Sequence, residues 1–581
     1  KKNMVTPEAL DQMIGVVEDA TLLKNKLKDF SVVYKAYENE KAKDYFDDED
    51  FYMTLLESLP KSQNLKHATI WIDGFDSFTV QELQILSTLS TLAAALNITI
   101  CTDGMMKEGH FDHTNGLFKR FSEMARENDI ALITELCERS FPSEDILHVA
   151  ENLLAYPYVK KAINQDVVQI FVADNRLDEV EYCAAKIVDL VGREGFDWQD
   201  FAVVTNDLEA YAMSIKRIFD EFELPYFLDQ KRQVANNPLV HLIKSYLHMY
   251  SEGFSTEQMV NFLKTGLVES DALAISRFEI YAKQYGVREK KLLKPFEIEG
   301  QDLTLENGVR ETLASLIVPE FKSKITVRTA IEKLFELLIK LEVNEKIDTQ
   351  VKAFTAAGNY DEAQQFAQIW NKTMDLFDQL VEIMGDEVLT IEALVEVVES
   401  GFETTEVGLL PLSDSQILIG TIDRSRAHPI KVLFFLGLND GIVPELGNDK
   451  QLILDSEKAF FSEKGIKLLA DSQMFLSKEQ FNLYFAMTRP TERLYFSYAR
   501  SDSEGRALRP SYFINKLSRI CSNIKTIDAR ITHDVLPYRV STSKGTVKHL
   551  ATEMRRAVDG YPVSPEWEAA FAWYAENERQ T

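Results

Sequence analysis

Asp73 is the first residue whose type and position suggest chemistry. It ends the apolar segment 68–72 and is followed by Gly74. A carboxylate at the C-terminal end of a buried parallel strand lies where α/β sheets bind ligands. In a phosphate-loop enzyme such an aspartate holds Mg²⁺, and a neighbouring glutamate polarises the attacking water. Here glycine takes the neighbouring position, and the pattern G-x-x-x-x-G-K-[ST] occurs nowhere in the 581 residues. Asp73 therefore has two interpretations: the remnant of a nucleotide pocket, or a structural acid that caps the next helix.

Arg489 is the second candidate. It follows an apolar helical stretch and precedes a predicted strand, residues 494–498. A guanidinium at such a junction can point into a cleft between domains and neutralise phosphate charge. An ion pair that ties two domains together explains the position equally well, and both interpretations stay open.

A third group of candidates could contact the phosphates of a nucleic acid. Residues 419–431 form a polar loop between two predicted strands, and an arginine-rich segment with a flexible glycine, Gly505, follows residue 500. Hydroxyl and guanidinium groups suit the phosphates of a single strand. A solvated loop or a protein-binding patch is the alternative. The candidates are Thr421, Arg424, Ser425, Arg426, Arg506 and Arg509.

Composition excludes several classes of protein. The net charge is −28, from 64 basic and 92 acidic residues, which argues against a protein that coats nucleic acid over its whole surface. A local basic groove remains compatible with this charge. No apolar run approaches the roughly 18 residues that span a bilayer, and the N-terminus lacks the apolar core of a signal peptide. We therefore expect a cytoplasmic protein without membrane contact. Because the chain begins with Lys1, we also expect a fragment or a trimmed form of a longer protein.

The side chains that usually bind metals are dispersed. Four cysteines lie far apart, which predicts reduced thiols rather than a metal knuckle or a disulfide framework. His110 and His113 form a local pair whose spacing fits no helical metal site. The nucleophile and metalloprotease patterns G-x-S-x-G and H-E-x-x-H are absent. The sequence thus predicts no metal site and no nucleophilic catalytic residue.

The segments that would position these candidates alternate between helix and strand. Helices are predicted over residues 1–65, with Thr6 as the first cap and Pro7 in the first turn, and over residues 80–96. Short apolar strands are predicted at 68–73, 97–102 and 129–133. This alternation implies a parallel sheet with right-handed crossovers.

A second α/β unit follows, and a helical block interrupts it. Residues 238–400 are predicted to be helical throughout, with amphipathic helices at 325–341 and 361–384. The tail after residue 535 is polar and weakly patterned. The remaining predicted elements of this unit are strands at 166–174, 201–205, 225–228, 415–421 and 432–436 and a helix at 178–194.

The order of these motifs resembles the UvrD/PcrA-type superfamily 1 helicases, and more closely the B subunit of the AddAB/RexAB helicase-nucleases. Residues 70–75 with 78–82 resemble the degenerate Asp-Glu motif of that protein, and residues 136–140 resemble its Asn-Tyr-Arg-Ser motif. Residues 179–187 with 200–204 are similar to the opening of the second motor domain. Residues 420–426 stand where helicases have Thr-x-His-Ser-x-Lys-Gly. The same family pattern is also matched by residues 434–444, 484–489, 492–494 and 508–511.

The resemblance implies a fold and a domain division. It implies an α/β protein with two RecA-like parallel-sheet lobes, degenerate relatives of the phosphate-loop NTPases, and inserted all-helical regions. Three residues would hold the positions of a degenerate nucleotide pocket: Asp73, Arg139 and Arg489. The implied domains are 1–65 (helical insertion), 66–160 (first lobe), 161–237 (second lobe, first part), 238–400 (helical insertion), 401–535 (second lobe, second part) and 536–581 (linker towards a nuclease domain).

The resemblance also implies a function. The chain would be a motor-like scaffold without ATPase activity that guides single- and double-stranded DNA ends and binds the A subunit in a heterodimer. The complex would be an ATP-dependent exonuclease and helicase that repairs double-strand breaks by recombination. The resemblance is compatible with ATP, magnesium and an iron–sulfur cluster in the intact complex. It implies no cofactor in this chain. Gly74, Asp423 and Pro429 replace helicase residues, which favours an inactive motor. The alternatives are an active helicase whose phosphate loop lies upstream, and an interaction scaffold without DNA contact.

Overall fold

The computed structural model of the chain describes residues 5–17, 21–41, 47–102, 111–137, 143–230, 232–268, 271–321, 324–408, 415–422, 430–445, 453–463, 472–530 and 539–577. The chain divides into two compact units. One combines Lys1–Leu228 with Ser413–Thr581, and the other is Asp229–Leu412.

The elements are numbered in chain order. The helices are α1 Pro7–Val16, α2 Leu22–Lys41, α3 Asp48–Ser58, α4 Val80–Leu92, α5 Asp112–Glu127, α6 Glu144–Leu153, α7 Arg176–Glu194, α8 Leu208–Glu221, α9 Pro238–Ser251, α10 Thr256–Leu263, α11 Ala272–Tyr285, α12 Glu289–Leu292, α13 Thr304–Ser315, α14 Val327–Lys340, α15 Val343–Ala356, α16 Tyr360–Met384, α17 Ile391–Thr404, α18 Asp455–Glu463, α19 Ser472–Met487, α20 Tyr512–Ile520, α21 Ser543–Val558 and α22 Pro565–Asn577. The strands are β1 Thr69–Ile72, β2 Ala95–Ile98, β3 Val168–Asn175, β4 Phe201–Val204, β5 Tyr226–Leu228, β6 Arg232–Gln233, β7 Lys324–Thr326, β8 Val388–Thr390, β9 Glu406–Val407, β10 Ile417–Gly420, β11 Ile430–Phe435, β12 Pro490–Ser501 and β13 Lys525–Asp528.

A parallel sheet of seven described strands organises the first unit. Its order is β13-β3-β12-β11-β4-β10-β5, and the neighbouring strands pair in parallel. Alternate residues of β4 face different cores. Ala202 and Val204 pack with α6, α19 and α20, whereas Phe201 and Val203 pack with α7 and α8. Because helices cover both faces, the central strands are continuous apolar runs, which is why the sequence predicts them well.

The smaller sheet contains β1 and β2, paired in parallel from Thr69↔Ala95 to Ile72↔Ile98. The predicted strand at 129–133 is wrong, since residues 130–137 form no strand and Ile133 is 82% exposed. An apolar run becomes a strand only where a neighbour pairs with its backbone groups, and no described strand lies beside this one. The second predicted strand is displaced: β2 ends at Ile98, and α4 stops at Leu92 instead of residue 96.

The described part of residues 5–65 is helical, as predicted. Thr6 caps α1 by accepting a hydrogen bond from the Ala9 amide at 3.2 Å, and Pro7 lies in the first turn. Helices α1 and α2 pack on Phe461 of α18, which is fully buried. Among the described helices, none has the length and hydropathy of a bilayer-spanning segment.

The second unit is a helical domain with one apolar core built from α9 to α17. The antiparallel pair of β7 with β8 corrects the prediction that residues 238–400 lack strands, and a second short pair, β6 with β9, lies just outside that range. Ile325, predicted to open a helix, lies in β7, and α14 begins at Val327 with Thr326 as its cap. Three-residue strands are too short to show an alternating pattern in the sequence.

The tail contains two helices, α21 and α22, where the sequence predicted a weakly patterned linker. Lys548 joins α21 to two helices: its ammonium lies 3.1 Å from Glu181 of α7 and 3.3 Å from Glu221 of α8. His549 also hydrogen-bonds Glu181. Most of α21 is exposed and polar. Its apolar stripe is therefore too narrow for the sequence to predict a packed helix there.

Gly545 allows α21 to approach α8 closely. A Cβ atom at this position would lie 2.7 and 2.8 Å from the ring of Phe222, which is 4% exposed and has little room to move. We therefore expect Gly545→Ala to loosen the tail, seen as faster trypsin cleavage after Lys544 and Lys548. Gly116→Ala in α5 is the control, because it brings the same gain in helix propensity and nothing lies within 4 Å of the added carbon. Equal cleavage rates in the two variants would contradict this prediction.

Candidate functional site

Glu179 of α7 is a fully buried carboxylate that joins four elements. Its Oε1 accepts hydrogen bonds from the Gly437 amide at 2.7 Å and from the Ser497 hydroxyl at 2.5 Å. Its Oε2 accepts a hydrogen bond from the Tyr211 hydroxyl at 2.6 Å. Helix α7, helix α8, strand β12 and the loop after β11 are thus held by one side chain.

Burial dominates the electrostatics of this cluster. Desolvation raises the pKa of Glu179 although its three hydrogen bonds act in the opposite direction. Desolvation and the neighbouring Glu179 carboxyl raise the pKa of Tyr211 well above its ordinary value. Gly437 fits because its φ is +74°, and because a Cβ there would lie 3.1 Å from the Tyr211 hydroxyl.

The loop after β11 fixes the end of β12. Buried Asn439 donates from Nδ2 to the carbonyls of Ala499 at 2.7 Å and Arg509 at 3.1 Å. The Asp440 amide also donates to the Arg509 carbonyl at 2.9 Å. Ser511 donates from its hydroxyl to the Val443 carbonyl at 2.5 Å. The backbone at Arg509 is therefore held in place while its side chain stays exposed.

Three of the predicted nucleic-acid contacts lie at the carboxyl edge of the large sheet. Thr421 follows β10, whereas Arg506 and Arg509 follow β12. Three inter-strand spacings separate β10 from β12 in the sheet order, which amounts to about 14 Å. The Arg506 guanidinium is exposed and pairs with Glu504. Arg424, Ser425 and Arg426 lie outside the described residues.

Arg489 lies at the opposite edge. It precedes the first residue of β12, Pro490, which pairs with Ile430 at the start of β11. The residue is 8% exposed, and its amide donates to the Ala486 carbonyl at 3.2 Å. Arg509 lies beside Ala499 of β12, because Asn439 bonds the carbonyls of both residues. At about 3.3 Å per residue, the stretch of strand from Arg489 to Ala499 is roughly 33 Å long. The phosphate-type candidates thus form two separate groups.

Asp73 is exposed at the end of β1 and accepts a hydrogen bond from the Thr99 hydroxyl. The suggestion that it caps the next helix is wrong. Thr79 caps α4 and forms a capping box with Glu82. The pocket of Asp73, Arg139 and Arg489 stays a prediction: Asp73 and Arg489 are not bonded to each other, and Arg139 lies outside the described residues.

The contact between the small sheet and α19 is made by other residues. The Lys478 ammonium of α19 lies 3.8 Å from the Asp76 carboxylate and donates to the Ser77 hydroxyl at 3.3 Å. Phe111 packs edge-on against Phe481 and Tyr484 of the same helix. The segment after β1 therefore has a structural role against α19.

The described residues around Asp73 supply only part of a magnesium–nucleotide site. Asp73 brings one carboxylate, with Gly74 in place of a second. Among the described residues, no group of three or more histidine, cysteine, aspartate or glutamate side chains could hold a metal ion.

Sequence reasoning missed the buried polar residues that shape this region. Glu179 was noted only within the resemblance, and Asn439 only as part of a matching segment. Glu479 was not singled out: its pKa is raised by burial, and it accepts a hydrogen bond from Asn206 at 3.3 Å. An acid on an amphipathic helix looks like a surface residue in sequence, so only its helical phase, beside buried Val180 and Cys183, could have marked Glu179.

Comparison with known families gives three matches along the chain. Residues 1–149 match the family described as ADDB, N-terminal. Residues 133–501 match the UvrD-like helicase C-terminal domain. Residues 538–581 match the ATP-dependent helicase/deoxyribonuclease AddB fifth domain. These matches confirm the resemblance predicted from the motifs.

The names of individual relatives agree with these family matches. The proteins named as the B subunit of an ATP-dependent helicase/deoxyribonuclease in Alkaliphilus metalliredigens and Acetivibrio thermocellus are each 32% identical to the chain, over 99% of its length and 53% of theirs. The protein of the same name from Alkaliphilus oremlandii is 32% identical over 100% of the chain and 53% of its own length. The chain thus spans about half the length of these curated relatives.

The buried Glu179 predicts a pH dependence with a definite sign. Burial raises its pKa above the ordinary 4.5, so the folded protein keeps this proton to a higher pH than the unfolded chain. Its contribution to stability is complete below pH 4.5 and falls as the pH rises through the raised pKa. Glutamine cannot ionise, so Glu179→Gln should cost about 1–3 kcal/mol at acidic pH, and less as the pH rises.

Hydrogen exchange of β4 and β11 is the suitable measurement, because a chain with two units has no single unfolding free energy. The variant and the wild type are compared at the same pH, between about pH 5 and pH 8. Glu209→Gln, at an exposed position of α8, is the control and should change little. A Glu179→Gln effect of constant size across this range would show that the carboxyl does not titrate there.

Proposed function

Because the chain belongs to the family with a UvrD-like helicase C-terminal domain, we propose that it is the motor-like scaffold in the B subunit of a helicase-nuclease. In this proposal it guides DNA ends, double- and single-stranded, and binds an A subunit in a heterodimer. The observation that carries the proposal is the match over residues 133–501, which contains the seven-stranded sheet except β13. The relatives are named as one subunit of a larger enzyme, which supports a partner subunit for this chain.

The surroundings of Asp73 support a scaffold without ATP turnover. Its carboxylate is engaged by Thr99, and the next position is Gly74, whose φ is +81°. Arg489, the other described member of the predicted pocket, is buried and makes no bond to Asp73. ATP with magnesium, and an iron–sulfur cluster, belong in this proposal to other parts of the intact complex.

The carboxyl edge of the large sheet supports contact with DNA. Arg506 and Arg509 are exposed there, and the Asn439 bonds hold the backbone at Arg509. Preorganised cations bind phosphates without the entropy cost of ordering a loop. In cells, the complex would act in the cytoplasm on double-strand breaks that recombination repairs.

Replacing Asp73 tests whether this lobe turns over ATP. In the full-length protein with its partner subunit, Asp73→Ala should change the ATP turnover rate by less than about twofold, because no step depends on this carboxylate. Thr99→Val is the matched control, since it removes only the hydrogen-bond partner of Asp73. A fall of about a hundredfold for Asp73→Ala alone would favour an active motor with an upstream phosphate loop.

Replacing the two arginines of the carboxyl edge tests the DNA contact. For a single strand, each lost phosphate contact lowers the slope of log affinity against log salt by about 0.7, so Arg506→Gln with Arg509→Gln should lower it by about 1.4. Arg217→Gln on α8 is the control, with a side chain 63% exposed and paired with Glu221. A slope that stays the same in the double variant would favour a protein-interaction scaffold without DNA contact at this edge.

A further inference from the structure

Helix α20 and the loop before β3 together present three tyrosines and three cations on one surface. The tyrosine–lysine surface consists of Tyr156, Tyr158, Lys160, Tyr512, Lys516 and Arg519. Lys516 joins the two segments: its ammonium donates to the Ala155 carbonyl at 2.8 Å and lies 4.5 Å from the centre of the Tyr158 ring. The Lys161 amide donates to the Ile520 carbonyl at 2.9 Å, which fixes the loop against the end of α20.

Hydrogen bonds hold the loop before β3 at the point where it exposes an aromatic ring. Asn152 of α6 accepts a hydrogen bond from the Val159 amide at 2.7 Å and donates to the His148 carbonyl at 2.9 Å. Between these anchors, Tyr156 is 92% exposed. A large ring held in solvent by a hydrogen-bonded loop gains nothing from folding, because its apolar area stays in water. The ring is therefore accessible to a ligand.

The cations of this surface are unusual for so acidic a chain. Lys161, the neighbouring residue, lies 3.7 Å from both Glu144 and Asp145. By contrast, no carboxylate within the described part of the chain forms an ion pair with Lys160, Lys516 or Arg519. Lys516 and Arg519 lie three residues apart on α20, and burial together with the like charge of Arg519 lowers the pKa of Lys516. Two adjacent like charges without a counter-ion favour an anionic partner.

The surface continues from the carboxyl-edge arginines. Arg509 precedes the cap of α20, Ser511, by two residues, and Tyr512 lies one turn before Lys516 on the helix. Tyr512 is 49% exposed. Helix α20 then leads to Arg519 and to the loop with Tyr156. Cations and aromatic rings thus follow one another from the carboxyl edge of the sheet towards its amino edge.

We propose that the tyrosine–lysine surface binds single-stranded nucleic acid, with a base stacked on Tyr156 and backbone phosphates beside Lys160, Lys516 and Arg519. A row of aromatic rings and cations is the combination that binds single strands without sequence preference. A protein partner could pack against the tyrosine rings. It would leave the three cations without counter-ions unless its own surface supplied carboxylates. This inference rests on the proposed function and extends it to a second contact region.

The test measures binding of an oligothymidylate to the full-length protein with its partner subunit, by fluorescence anisotropy. An abasic strand of equal length keeps the phosphates and lacks the bases. Tyr156→Ala should weaken binding of the oligothymidylate about 5- to 150-fold, the effect of one stacked base, and should leave binding of the abasic strand unchanged. Tyr156→Phe should restore stacking, and Tyr561→Ala, at a tyrosine that is 60% exposed on the tail, is the control.

The role of the cations is tested by comparing substitutions that remove their charge with substitutions that keep it. Lys516→Gln with Arg519→Gln should lower the salt slope by about 1.4 on both strands, whereas Lys516→Arg with Arg519→Lys should retain it. Thermal unfolding is measured for each variant, because Lys516→Gln also removes the bond to the Ala155 carbonyl. Arg519→Gln alone changes an exposed side chain, so it should lower the slope by about 0.7 without a change in Tm.

The outcomes separate this inference from the proposed function. If Arg506→Gln with Arg509→Gln lowers the slope but the Tyr156, Lys516 and Arg519 variants bind both strands normally, the tyrosine–lysine surface is not a binding site and the proposed function stands. If these variants lose the partner subunit and keep the strand, the surface is a protein interface and the inference is overturned. If the wild type binds no single strand, both proposals fail.

Discussion

The buried carboxyl of Glu179 is the constraint on which the large sheet depends. Moving a carboxyl group out of water costs several kcal/mol unless hydrogen bonds replace those of the solvent. Tyr211, Gly437 and Ser497 supply these bonds from a helix, a loop and a strand that are distant in sequence. Each donor must therefore take its position for the others to be satisfied. The need to hydrogen-bond the buried carboxyl of Glu179 fixes how far α7 and α8 lie from the sheet. It also fixes the path of the chain as it leaves β11.

The loop after β11 connects the buried Glu179 to residues at the surface. The loop that starts at Gly437 continues to Asn439, whose amide holds the carbonyls of Ala499 and Arg509. Ser511 then caps α20 and bonds Val443 of the same loop. Hydrogen bonds from the side chains of Asn439 and Ser511 to backbone carbonyls thus connect the carboxyl edge and the start of α20 to the loop that begins at Gly437. Helix α20 is also held by the buried side chains of Phe513, Leu517 and Ile520, so the hydrogen bonds chiefly order the exposed loop at Arg509.

Burial and pairing decide which parts of this structure the sequence predicts. Strands β3, β4, β5, β10 and β11 were predicted because parallel strands covered on both faces are continuous apolar runs. The run at 129–133 has the same composition but no strand beside it, and edge strand β13 went unpredicted because only Ile527 of its residues is buried. The site was predicted less well. Arg506 and Arg509 were proposed from residue type alone and stay predictions, whereas Glu179 and Asn439 depend on partners that only the tertiary structure brings together.

In the proposed function, the length of β12 would allow one sheet to lose nucleotide chemistry and still serve as a scaffold for DNA. Arg489 precedes the strand, and Arg506 and Arg509 follow it, so the two groups lie at opposite edges. Groups separated by several Debye lengths exert little electrostatic influence on one another. Substitutions around a nucleotide pocket would therefore leave the Glu179 network unchanged, because the carboxyl of Glu179 bonds Tyr211, Gly437 and Ser497 and neither Asp73 nor Arg489. The same separation would let selection retain a rigid, cation-bearing sheet after the ATP-splitting groups were gone.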